Sequence, residues 1–509
     1  MLVVVMGSAG TALADPDADA IAHLRSRLDK LLTSHGQPKV QAGARVIELP
    51  SGRVLYDHDG TRPLVPASNM KLVTLSAAID RFGGDYEFKT ILAARNKDLV
   101  VIGGGDPTIG DEKLAAKDGS SITALFHQWA DKLKAAGVRD IAGDIVIDDS
   151  IFNHQFTHPN WPSDQYQRHY EAPVGGLNFH GNCVSVRVSP TKAGQRANAT
   201  LTPGNGLLRL DNRTVTGAKH SATAGRPQNS DTIVVNGTVS REDVVGPVTV
   251  RDPGLYFGHV FKTVLAAKGI RVRGAVVRQK VRGEDGDLPK GYRIIAVHKT
   301  PLSVAMARAG KDSHGPTAEA IFKLLGSATG APGSWKTGYK AVEAFLREAG
   351  VPEDQATIDD GSGLSRVNRI SAAAMTQVLL YINNASGNKI QALRAALAVA
   401  GVDGTLEKRM RSPHVKGRVI AKTGYINNVR TLAGYIHTSS GQWLAFALYF
   451  NQATKTRPLT QIQDEACELL VDWPNIRPAA DEQREEARQE SHGSKQAPVR
   501  QGTRLSRQR

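Results

Sequence analysis

At 509 residues and 40% hydrophobic content, the chain is long for one core and implies two or three globular domains. A formal charge of +15 points to polyanions, but no nucleic-acid-binding motif accompanies it and part of the excess lies in the C-terminal tail, which argues against a nucleic-acid-binding protein. The two cysteines, Cys183 and Cys467, lack metal-type partners at short spacing; they are open to pairing in an oxidising compartment, but their placement in different domains favours two buried free thiols.

In chain order, an apolar run followed by the small-residue site Ala12-Leu13-Ala14 reads as a signal peptide over residues 1–14, although no Lys or Arg precedes it. It is too short to span a bilayer, and no other segment is a candidate span. Residues 17–35 read as an amphipathic helix with Ile21, Leu24, Leu28, Leu31 and Leu32 on one face. Strands are expected at 41–49 and 53–57 around the turn Pro50-Ser51-Gly52. Next, Pro66-Ala-Ser-Asn-Met-Lys-Leu-Val-Thr74 opens a helix that Gly83-Gly84 stops. The strand-and-glycine stretch 98–108 lacks the spacing of a dinucleotide or P-loop site. A helix over 122–136 and a strand over 144–148 follow.

Residues 152–170 are rich in His, Pro and aromatic residues. His154 and His158 have helical spacing, but Pro159 and Pro162 oppose a helix and no carboxylate or thiol completes a metal set, so a surface loop is expected. Short strands, among them 184–188 and 232–235, give an all-β look to the chain as far as about residue 250. Asp252-Pro253-Gly254 then opens a helix to Ala267. Further on come a strand at 294–298, a helix at 303–308, and Ser313 just before another helix. Asp359-Asp-Gly-Ser-Gly-Leu-Ser365 is Gly-rich, and Ala421-Lys-Thr-Gly424 ends an alternating strand, with more strands at 434–436 and 443–450. Beyond Trp473 the composition turns polar and ends in clustered arginines, which predicts a disordered basic tail.

The chemistry is carried by three of these stretches. On a helix, Ser68 and Lys71 share a face, so the lysine amine lies over the hydroxyl and is placed to remove its proton. Alone, S-x-x-K is frequent by chance; its weight comes from Ser313 and Lys422-Thr423-Gly424 following in order, since S-x-x-K, S-x-N-type and K-T-G motifs together mark penicillin-binding proteins and class A β-lactamases. With its long gap between the first two motifs, the set resembles the D-alanyl-D-alanine carboxypeptidase/endopeptidase family of class C low-molecular-mass penicillin-binding proteins (peptidase S13, penicillin-binding protein 4 type). Further stretches add to this likeness: Gly103-Gly-Gly-Asp-Pro107, Leu177–Val184, Asp252-Pro253 and 359–365.

The resemblance implies an α/β (α+β) fold: a serine β-lactamase/transpeptidase-like domain with an antiparallel sheet and helices, interrupted by a large inserted region containing a β-rich module. Expected boundaries are 15–90 and 292–475 for the two parts of that domain, 91–291 for the insertion and 476–509 for the tail. It further implies a penicillin-binding hydrolase of peptidoglycan stem peptides, inhibited by β-lactams and exported to the periplasm or cell envelope, with no cofactor or metal. Ser68 is the expected nucleophile, Lys71 its base and Ser313 a proton relay. Lys422, Thr423, Gly424 and Asp164 are expected to bind substrate, and the basic tail offers peripheral wall or membrane contact. One position departs from the family: where its second motif reads Ser-x-Asn, this chain has Ser313-His314-Gly315, and glycine has no amide to offer the substrate. That departure keeps open a second reading, a wall-binding protein of the same fold without efficient turnover. A β-lactamase is disfavoured by the long insertion.

Overall fold

The computed structural model describes residues 18–283 and 288–476; the expected signal peptide and all but the first residue of the expected tail lie outside them. A six-stranded antiparallel sheet joins the two ends of the described chain. Strand Gln41–Leu49 pairs along its whole length with Trp443–Asn451, from Gln41 opposite Asn451 to Leu49 opposite Trp443. The order continues through Val429–His437 and Val419–Ile426 to Ala398–Val399 on one side, and to Val54–His58 on the other.

Strand 443–451 shows why this sheet is central: it is apolar at nearly every position, as expected when both faces are covered. Leu444, Phe446, Leu448 and Phe450 point to one core with Leu24, Leu28 and Leu32 of helix Ala18–Thr33 and Leu459 and Cys467 of helix Arg457–Val471. Ala445, Ala447 and Tyr449 point to the other core, where helices Met70–Phe82, Gly315–Ser327 and Ala372–Asn384 pack. Both cysteines are buried and unpaired, as expected.

A second sheet has five strands in the order Val276–Arg278, Ile145–Asp148, Asp98–Ile102, Glu87–Arg95, Arg293–Pro301. Helices Ala124–Ala135 and Pro253–Ala267 cover it through Phe126, Trp129, Phe257 and Phe261. Beyond it, a three-stranded sheet of 183–189, 198–202 and 243–249 and another of 209–216, 223–225 and 232–239 form the β-rich module.

Two stretches pack differently from a simple reading of their composition. Strand 293–301, expected at the return of the catalytic domain at 292, pairs with 87–95 inside the five-stranded sheet, and helix Leu302–Gly310 follows it. A strand alternates in the same way whichever sheet it joins, which is why composition did not mark its partner. The 152–170 loop is not merely a surface loop: Phe152 and Trp161 sit in the core beside helix 70–82. Among the described residues, no helix is long and apolar enough to cross a membrane.

Candidate active site

Ser68 lies in a single 3-10 turn, Ala67–Asn69, that leads directly into helix 70–82. The turn is clamped to the edge of the six-stranded sheet: the Asn69 side-chain amide donates to the Lys422 carbonyl, and Thr431 Oγ1 donates to Pro66 O at 2.7 Å. Gly424 makes this approach possible, because a Cβ there would collide with Thr431 Oγ1 and crowd Pro66 O. Gly363, with φ +79°, likewise passes so close to the Ala67 carbonyl that no side chain fits.

The structure brings Ser68, Lys71, Ser313 and Lys422 together. Lys71 Nζ lies 3.1 Å from Ser68 Oγ and donates to Ser362 O at 2.7 Å. Ser313 sits between helices 302–310 and 315–327 in the left-handed region, φ +59°, a conformation that costs a non-glycine residue energy and often marks a functional site. Its hydroxyl accepts from Lys422 Nζ at 2.8 Å, and the same ammonium donates to Thr423 O at 2.8 Å. Both lysines are buried. Burial pulls the Lys71 amine down to about 8, against the upward pull of Glu319 and Asp360. Burial, then the neighbouring Lys71 charge, takes Lys422 well below the ordinary lysine range. A lysine in this state can exist as a free amine near neutral pH and accept a hydroxyl proton.

Ser68, Lys71 and Ser313 border a cleft of about 440 Å³ lined also by Gln165, Tyr170, Gly315, Ser362, Arg366, Tyr425 and Asn427, with Lys422 buried behind Ser313. Residues 422–426 pair with 429–433 on one side, while on the other the short strand Ala398–Val399 reaches only Ile420 and Ala421. The strand edge beyond Ala421 is therefore open to an extended peptide. Thr423 Oγ1 donates to Thr405 Oγ1 at 2.9 Å on that edge.

Asp164 does not join the group. It is exposed, and Pro162, Gln165 and Tyr170 form the cleft wall from that loop. His314 also turns away, its Nδ1 2.8 Å from Thr317 Oγ1, into a neighbouring pocket with Asp111, His169, His180 and Arg308. Ser365 is buried and bonded to Asp359, apart from the motif serines. Sequence reasoning noticed the Gly-rich 359–365 stretch but not that the Ser362 carbonyl holds Lys71. It also missed the cleft-lining Gln165, Tyr170, Arg366 and Asn427, which carry no motif signal of their own.

The fold and this constellation define a serine acyl-transfer enzyme of the β-lactamase/transpeptidase-like class. The chain belongs to the D-Ala-D-Ala carboxypeptidase 3 (S13) family, whose profile matches residues 24–471. It is 32% identical over 498 residues to a D-alanyl-D-alanine carboxypeptidase of Actinomadura sp. (strain R39), spanning 93% of this chain and 89% of that one. Its fold is similar to that of penicillin binding protein 4 from Haemophilus influenzae, at 24% identity and a TM-score of 0.71, covering 88% of this chain and 99% of that one. The same protein complexed with a β-lactam gives a TM-score of 0.67 at 23% identity, again over 88% and 99% of the two chains.

Proposed function

We propose that the protein is a serine D-Ala-D-Ala carboxypeptidase/endopeptidase of the cell envelope, cleaving peptidoglycan stem peptides through an acyl-enzyme on Ser68. The observation that carries this reading is the Ser68–Lys71 pair, 3.1 Å apart, with the lysine pulled by burial to about 8.

The peptide adds to the open edge of strand 419–426, and Lys422, whose protonated form the incoming terminal carboxylate favours, holds that carboxylate together with the Thr423 hydroxyl. Lys71, as free amine, takes the proton from Ser68 while Oγ attacks the carbonyl carbon of the scissile bond. The backbone N–H groups of Ser68 and Tyr425 stabilise the oxyanion. Ser313, bonded to Lys422, relays that proton from Lys71 to the departing amine of D-Ala, which leaves Lys71 a free amine again. Water then attacks the ester, Lys71 accepts its proton, and Ser68 is released with the shortened peptide. A β-lactam enters the same path, since its ring amide is attacked by the same Oγ.

Intact-protein mass after incubation with a penicillin tests the reading. The mass should rise by that of the drug in the wild type and not in Ser68→Ala. An unmodified wild type after prolonged incubation would overturn it. Gly315 supports a second reading, a wall-binding protein that acylates but turns over poorly; release of D-Ala from a stem-peptide substrate separates the two.

A further inference from the structure

Glu319 is fully buried one turn into the helix that Ser313 precedes, and the reaction scheme gives it no role. Its carboxylate accepts three N–H groups: Ser362 N at 2.7 Å, Gly361 N at 3.1 Å and Trp335 Nε1 at 2.8 Å. The carbonyls of the same two residues face the opposite way. Gly361 O accepts from Thr74 Oγ1 at 2.7 Å and Ser362 O from Lys71 Nζ at 2.7 Å, both on the nucleophile helix. The Gly361-Ser362 backbone is thus held between two helices, N–H groups on Glu319 and carbonyls on Thr74 and Lys71.

From this arrangement, and resting on the acyl-transfer reading above, we propose that Glu319 is a positioning residue for Lys71, fixing through the Gly361-Ser362 backbone where the amine points and supplying its anionic partner. A free amine has two N–H groups and one lone pair. Committing one N–H to a carbonyl that cannot move leaves the lone pair for the Ser68 hydroxyl 3.1 Å away.

The charge has a separate effect. Groups acting on Lys71 are Glu319 and Asp360, which favour its protonated form, and Lys422 and His314, with which it repels. Asp360 is itself engaged by Gly363 N, Ser365 N, the Asn368 amide and Trp161 Nε1. Burial and Asp360 raise the Glu319 carboxyl to about 7, opposed by its N–H donors. Removing the Glu319 charge lowers the proton affinity of Lys71, so the free amine persists to lower pH.

The test is the rate of Ser68 acylation by a β-lactam from about pH 5 to about pH 10. In the wild type the rate should rise with pH through an acid limb near about 8, the value for Lys71. Glu319→Gln keeps the size and removes the charge: its limb should move to lower pH while the plateau falls roughly tenfold through the weakened hold on the backbone. Glu319→Asp keeps the charge but withdraws it by one methylene, so its limb should stay and its plateau should fall. A folded Gln variant with its limb unmoved refutes the proposal; if that variant does not fold, an Asp variant with an undiminished plateau does so. Should the wild type not acylate at any pH, the functional reading fails first. The Lys71 titration, followed by its ¹³Cε shift in Ser68→Ala with and without Glu319→Gln, then decides the inference without acylation: an unchanged midpoint overturns it.

Discussion

Gly315→Asn is the most informative substitution at the second motif. The family resemblance places an amide here, and this chain has none. Gly315 is the first residue of helix 315–327 and is not in the left-handed region, so its backbone accepts any L-residue. A Cβ there would lie 3.2 Å from Tyr170 O and 3.8 Å from Ser362 Cβ. Only the first contact is tight, and it belongs to the short turn His169–Glu171, whose Tyr170 is 36% exposed. Moving that turn by a few tenths of an ångström costs about 1 kcal/mol or less. An amide hydrogen-bonded to the substrate carbonyl contributes about 1–3 kcal/mol in the transition state. The net effect is faster acylation, by up to roughly thirtyfold. Gly315→Ala introduces the same Cβ without the amide, so the Asn-to-Ala ratio isolates the hydrogen bond and should lie between about fivefold and about 150-fold. Stopped-flow acylation by a chromogenic β-lactam on both variants, alongside thermal unfolding, measures it. Asn no faster than Ala in folded protein would show that the cleft has been rebuilt around the glycine and that the amide has no place to act.

Lys422→Ala should impair cleavage of peptides ending in a free D-Ala carboxylate more than hydrolysis of a thioester without one, as steady-state kinetics on the two substrates will read; equal losses would assign Lys422 to proton transfer instead. Lys323→Met should lower stability by about 1–3 kcal/mol, because the Lys323 ammonium donates to the carbonyls of Asn153, Gln155 and Val174 and their burial without a donor is unfavourable; denaturant unfolding checks this, and an unchanged midpoint refutes it. Truncation after residue 475 should leave catalysis intact and weaken salt-sensitive retention on purified wall or anionic vesicles, because the removed segment carries clustered arginines. Unaltered retention, or loss of the fold, would contradict that.

What the sequence shows of the site depends on how far each role can be read from neighbours along the chain. Ser68 and Lys71 are legible because helical geometry alone stacks residues three apart, and Lys422-Thr423-Gly424 because an alternating strand presents them at an edge. Ser313 is legible only by its order among the motifs, since its φ of +59° leaves no trace in a non-glycine residue. Glu319 and Ser362 are not legible as partners. A glutamate in a helix with Ala318 and Ala320 beside it reads as a solvated position, and nothing local shows that it is buried against a backbone segment more than forty residues later.

The same reasoning explains the loop at 152–170. Trp161 Nε1 donates to Asp360 at 2.9 Å, the Asn160 amide to Asp359 at 3.1 Å, and Lys323 grips the backbone at 153, 155 and 174. Each partner is polar and lies far away in sequence, so hydrophobic periodicity could not reveal the joint. Asp360, with four N–H donors from both sides of it, links the inserted loop to the Gly-rich turn, and that turn holds Lys71. The inserted region is therefore fastened to the same backbone segment that orients the amine. A change in the loop, such as Trp161→Phe, has a short physical route to Ser68 through Asp360 and Ser362, although none of its atoms touches the nucleophile helix through a hydrogen bond.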